Sequence, residues 1–160
     1  MNKEQEIKEW FEKRIKHFND NAMLYRLHIY KLSNKDFFRD LLLFIDDFEN
    51  IKTIKECSVG ILVYVMYLLS VHYDRDFSKT LLFLKKTLIK KNRDYGSSFD
   101  KSINKFGWIY VAIELDKKKN RLHSLLKNKE KPNYESVEDT LLDIAGYCVL
   151  SLIYLENKEA

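Results

Sequence analysis

Glycine and proline are almost missing from this 160-residue chain: Gly60, Gly96, Gly107, Gly146 and Pro132 are the whole complement. An average chain would draw about 12% of its residues from these two types. Tight hairpins need residues at ease in unusual φ/ψ, so this scarcity excludes a many-turned β-sandwich or barrel. Cysteine is scarce as well. Cys57 and Cys148 each sit in or beside an apolar run, and they read as buried, reduced hydrophobes of an intracellular protein rather than a disulfide framework. No apolar run reaches bilayer length, because the longest, Val59–Val71, falls short of the ~20 residues a spanning helix needs. The opening MNKEQEIKEWFEKR is charged throughout and is no signal peptide. The expectation is a cytoplasmic protein with no membrane partner. His17, His28, His72 and His123 show no paired spacing, which argues against zinc. Phosphate loops, dinucleotide fingerprints and nucleophile elbows are absent, and no groove-reading motif points to nucleic acid.

What is present is helix. Hydrophobic residues make up 46% and charged residues 32%, which excludes wholesale disorder. Net charge is +4, too mild an excess to indicate a nucleic-acid partner. The spacing predicts an all-α, compact bundle of about six helices. Residues 4–32 form one or two amphipathic helices, broken near Asn19-Asp20-Asn21, and a helix over about 35–48 follows the break at Ser33–Asp36. A helix over about 51–73 is apolar on all sides in its second half and belongs at the centre of the core. A lysine-rich helix over 77–93 precedes a loop at Asp94–Ser98. Residues 100–128 form one long helix or two joined near Phe106-Gly107, and the last helix covers about 134–156. SVGILVYVMYLLS (58–70) echoes IAGYCVLSLIYLE (144–156), either as two buried helices of like composition or as a diverged duplication. Residues 1–76 and 77–160 are thus two helical halves of one compact unit.

Three stretches could carry chemistry. On the last helix Glu135, Asp139 and Asp143 line one stripe at i,i+4 spacing, and Gly146, Leu150 and Tyr154 continue its azimuth. Acids in a first turn suit the helix dipole. Carboxylates at this spacing also suit a Mg²⁺ ion completed by water and substrate phosphates. KKNRDYGSSF (90–99) is either a C-terminal cap or a set of phosphate-facing bases, Lys90, Lys91 or Arg93, beside Tyr95 as a ring for a base. In ELDKKKNRLHSLL (114–126) Lys117 and Arg121 share a face, with Asp116 and Asn120 on the next; a solvated face explains this as well as a phosphate clamp does.

DYGSSF, DKKKNRL and ESVEDTLLDIAGYCVL, in that order over about residues 77–156, resemble the phage and bacterial family called nucleotide-modification-associated domain 1. That family looks like a branch of the all-α, MazG-like nucleoside triphosphate pyrophosphatases. The resemblance implies a nucleotide partner, a Mg²⁺ cofactor and cleavage between the α- and β-phosphates. It implies catalytic and metal-holding roles for Glu135, Asp139 and Asp143, with Glu138 nearby and Asp116 as a further metal ligand. It also implies that Lys91, Asp94, Tyr95, Lys117 and Arg121 bind the ligand. Members of that class work from helices packed between subunits, which implies a homo-oligomer or a duplicated chain. One departure stands out: the MazG pattern pairs an ExxE helix with the acidic one, and residues 77–128 contain no ExxE. The alternatives are a protein that sequesters a signalling nucleotide without hydrolysis, or a helical interaction protein.

Overall fold

The computed structural model describes residues 2–20, 45–46, 48, 54–72, 76–95, 98–127 and 134–159. Among these residues there are six helices and no strand: α1 (Lys3–Asp20), α2 (Ile54–His72), α3 (Phe77–Tyr95), α4 (Ser98–Phe106), α5 (Ile109–Lys127) and α6 (Tyr134–Glu159). The described residues are all-α, in line with the scarcity of glycine and proline. No helix of the described residues is long and apolar enough to cross a membrane. The helix expected over 35–48 lies largely outside the described residues, although Ile45 and Asp46 are helical and Phe48 sits in a turn.

Local chemistry sets the helix ends. Asn2 caps α1, its side-chain oxygen accepting the Gln5 N–H at 2.8 Å. Asp76 caps α3, accepting the Lys79 N–H at 2.8 Å and the Ser78 hydroxyl at 3.0 Å. The Lys79 N–H, followed by the Ser78 hydroxyl, holds the Asp76 carboxyl below its ordinary range. Gly107 divides 100–128 into two helices. Its φ is +74°, and its N–H donates to the Ile103 carbonyl at 2.8 Å, so α4 ends in a left-handed cap. A Cβ at Gly107 would meet nothing within 4 Å. Gly107→Ala therefore costs only the left-handed backbone, about 1 kcal/mol. The melting temperature should fall by about 3 °C, and an unchanged value would contradict this cap.

Asp94 and Tyr95 belong to the last turn of α3, not to a loop. The basic residues before them suit a helix C-terminus, and Arg93 is anchored. Its guanidinium donates to both Glu4 oxygens on α1, Nε at 3.1 Å and Nη2 at 2.7 Å. Arg93, with Lys8, holds the Glu4 carboxyl down to about 2. What this pair contributes is present above the ordinary carboxylate range and lost as pH falls toward about 2.

All six helices share one hydrophobic core. The most extensive pairing is α2 on α6, followed by α1 on α3 and α5 on α6. The two echoing segments are therefore packed partners. Ile61, Leu69, Leu141, Ile144 and Cys148 have no exposed surface. α2 is less enclosed than its composition suggests, since Val59 stays exposed and Leu62 half-buried. Both cysteines are buried thiols outside any disulfide, and burial, with Cys57 nearby, pushes the Cys148 thiol well up. Beyond Glu4–Arg93, the N-terminal helix is tied on by Lys3, which bridges Glu6 and Asp100 at 2.8 Å each, and by the Arg14–Glu156 pair.

Candidate functional site

Three helices place a charged residue where their apolar register calls for a hydrophobe. On α3, buried Leu81, Leu84 and Leu88 are spaced three and four apart, and Lys91 takes the next position of that series. On α5, Val111, Leu115 and Leu122 are fully buried, and Lys118 fills the gap between the last two. On α6, Asp143 heads the stripe that continues through Tyr147, Leu150 and Tyr154. The three meet. Lys118 Nζ lies 2.9 Å from Asp143 Oδ2, and Lys91 Nζ is paired with Asp143 Oδ1. Their side chains are 27%, 41% and 20% exposed for Lys118, Lys91 and Asp143, so the triad lies at the edge of the core.

The triad opens onto a cleft of about 320 Å³ bounded by α3, α4, α5 and α6. Leu84, Leu88, Leu142 and Leu150 supply apolar walls, and Thr87, Asn92 and Ser98 supply neutral polar groups. One end is aromatic. Phe99, Tyr110 and Tyr147 pack edge-on or tilted, with centroids 6.0–6.4 Å apart. Rings this close admit nothing between them, so they form a wall against which a further ring can stack. Gly146 lets α3 come close, since a Cβ there would stand 3.3 Å from Leu88 Cδ1. Farther along, Tyr154 packs on Trp108 at 5.7 Å and donates to Asn104 at 2.7 Å. The α4–α5 elbow thus lies over the azimuth that the acidic stripe enters.

Burial shapes the electrostatics. It lowers the Lys91 ammonium below its ordinary value, helped by repulsion from Lys118 and opposed by Asp139. Burial, then repulsion from Arg121, lowers Lys118, with Glu114 opposing. The Tyr147 hydroxyl donates to Glu114 Oε2 at 3.2 Å. Burial, with Tyr110 and Glu114 adding to it, pushes Tyr147 well up; burial and Glu114 raise Tyr110. Both phenols stay protonated at neutral pH and cannot serve as bases there.

Of the residues singled out in the sequence, the structure brings together Lys91 and Asp143. Asp139 is exposed one turn away, acting on Lys91 only through its field. Asp116 is exposed and pairs with Lys119 at 3.2 Å and Asn120 at 3.3 Å, on the side where Lys119 also meets Asp46. Lys117 pairs with Glu114 at 3.2 Å and does not line the cleft. Arg121 and Asp94 are exposed, and Glu138 is half-buried. The side chains of Glu135 and Tyr95 lie outside the described residues. Among the described residues no three of His, Cys, Asp and Glu converge as a metal site would require. Asp143, the acid best placed for one, has an ammonium on each oxygen.

Lys118, Glu114, Tyr110, Phe99 and Tyr147 escaped the sequence reading. A signal for Lys118 existed: it stands in the buried register of α5, whereas Lys117 and Arg121 attract notice only by sharing a helix face.

A family model described as nucleotide modification associated domain 1 matches residues 91–155. That is about two fifths of the chain and narrower than the 77–156 resemblance. All three charged residues and all three rings of the cleft fall within the match. No curated protein and no solved structure matches the chain.

Proposed function

We propose that the cleft binds a nucleoside phosphate, with Lys91 and Lys118 receiving a phosphate and the Phe99–Tyr110–Tyr147 wall receiving the base. The observation that carries this reading is the convergence of two core-register lysines on an aromatic-walled cleft, inside the segment that the nucleotide modification associated domain 1 model matches. Ammonium groups held near a low-dielectric space bind oxyanions better than solvated ones do. The rings give a sequence-tolerant stacking surface. The chemistry favoured is holding the nucleotide rather than cleaving it, because Asp143 is occupied by the lysines and the phenols are protonated.

The MazG-like resemblance would add hydrolysis between the α- and β-phosphates, with magnesium on Asp139, Asp143 and Glu135. One assay separates the two readings. The protein is incubated with nucleoside mono-, di- and triphosphates, with Mg²⁺ or with EDTA, and bound nucleotide is released by heat and chromatographed. Intact nucleotide retained in EDTA is the expected result. Pyrophosphate with a monophosphate, formed only with Mg²⁺, would replace holding by hydrolysis. Retention of nothing would end the nucleotide reading.

A further inference from the structure

We infer that Asp143 is a built-in counter-ion standing where a ligand phosphate binds, and that it restricts the cleft to nucleotides bearing a single phosphate. This rests on the cleft being the nucleotide site. Lys91 and Lys118 come from different helices, yet each approaches a different oxygen of the same carboxylate. That is the arrangement two ammonium groups need to bridge two oxygens of one phosphoryl group. Asp143 thus holds the pair ready and relieves its repulsion while no anion is bound.

The charge balance then limits the ligand. Among the described lining residues only Lys91, Lys118 and Asp143 are charged, leaving a net charge of +1 at the cleft. A terminal phosphate approaches two negative charges at neutral pH, its second pKa being about 6. One such group saturates both lysines, and Asp143 opposes any further anion. The remaining lining is leucine, ring and neutral polar group, suited to an uncharged nucleoside body. The volume of about 320 Å³ is at the small end of ligand clefts, roughly 300–1,000 Å³. These features favour a nucleoside monophosphate over a triphosphate.

The test titrates wild-type protein and Asp143→Asn with inorganic phosphate, and with the mono- and triphosphate of one nucleoside, in EDTA at fixed ionic strength. Wild type should bind the monophosphate more tightly than the triphosphate. Asp143→Asn should bind inorganic phosphate about tenfold more tightly, because a like charge beside the anion is gone. Its preference for one phosphate over three should narrow. Melting provides a second readout: without anion the variant should melt below wild type, and phosphate should raise its melting temperature by more. Weaker or unchanged phosphate binding by the variant would overturn the counter-ion role while leaving the cleft as a nucleotide site. A wild-type preference for the triphosphate would overturn the single-phosphate restriction even if the variant failed to fold. Absence of all nucleotide binding by wild type would instead remove the reading beneath it.

Discussion

Lys118→Ala is expected to weaken nucleotide binding by at least tenfold while leaving the fold intact. A hydrogen bond from a charged donor contributes roughly 1.5–3 kcal/mol, which is about 10- to 150-fold in affinity. Lys118 is one of only two cationic groups lining the cleft among the described residues, so nothing on α5 replaces it. Stability should change little, by about 1 kcal/mol or less, because Asp143 keeps its pairing with Lys91. The informative control is its neighbour. Lys117 is 66% exposed and pairs with Glu114, so Lys117→Ala should alter affinity by less than about threefold through its distant field alone. Equal losses from the two variants, measured by titration calorimetry, would mean that binding follows the general charge of α5 and not the cleft.

Ile144→Ala should do the reverse. Ile144 follows Asp143 directly but points about 100° away around α6, into the core, where it has no exposed surface. Removing most of a buried isoleucine costs about 2–5 kcal/mol, and for a chain of this length each kcal/mol corresponds to roughly 2–4 °C. The melting temperature should therefore fall by about 4–20 °C. Nucleotide affinity of the folded protein at low temperature should stay unchanged. Thermal unfolding and titration on the same sample separate the two effects. Loss of affinity without loss of stability would mean that the two faces of α6 are wrongly assigned.

The contrast between these adjacent residues also explains what the sequence could reveal. The all-α class followed from five glycines and prolines and from apolar periodicity, both local properties. The sequence marked Gly107 as the place where 100–128 could divide, because a left-handed cap favours that residue type, without deciding between one helix and two. The acidic stripe's passage into buried territory was legible too, since Gly146, Leu150 and Tyr154 share its azimuth. What covers the stripe was not. The α4–α5 elbow reaches it by tertiary packing, which brings Trp108 to Tyr154 and Tyr110 to Tyr147.

The prominence of Lys117 and Arg121 in the sequence, where Lys118 stands unmarked, has a more specific cause. Charge pairs at i,i+4 describe how residues on one helix face each other, whereas a binding site depends on which face meets another helix. Setting Lys118 against Leu115 and Leu122 would have shown that a lysine occupied a core position. The same test applied to Lys91, after Leu84 and Leu88, points to the same space from the other side. Asp116 illustrates the converse. The family resemblance offers its carboxylate as a further metal ligand, and its helix phase sets it beside Lys119 and Asn120.

A crystal structure grown with a nucleoside monophosphate in the absence of divalent cations would show whether Lys91 and Lys118 form a phosphate seat beside an aromatic wall. Phosphate density is expected between the two lysine Nζ atoms, with the base against Phe99 or Tyr147 and the Asp143 carboxylate turned away from at least one lysine. Phosphate density on Lys117 and Arg121, or a nucleotide bound outside the cleft with the triad unchanged, would contradict it.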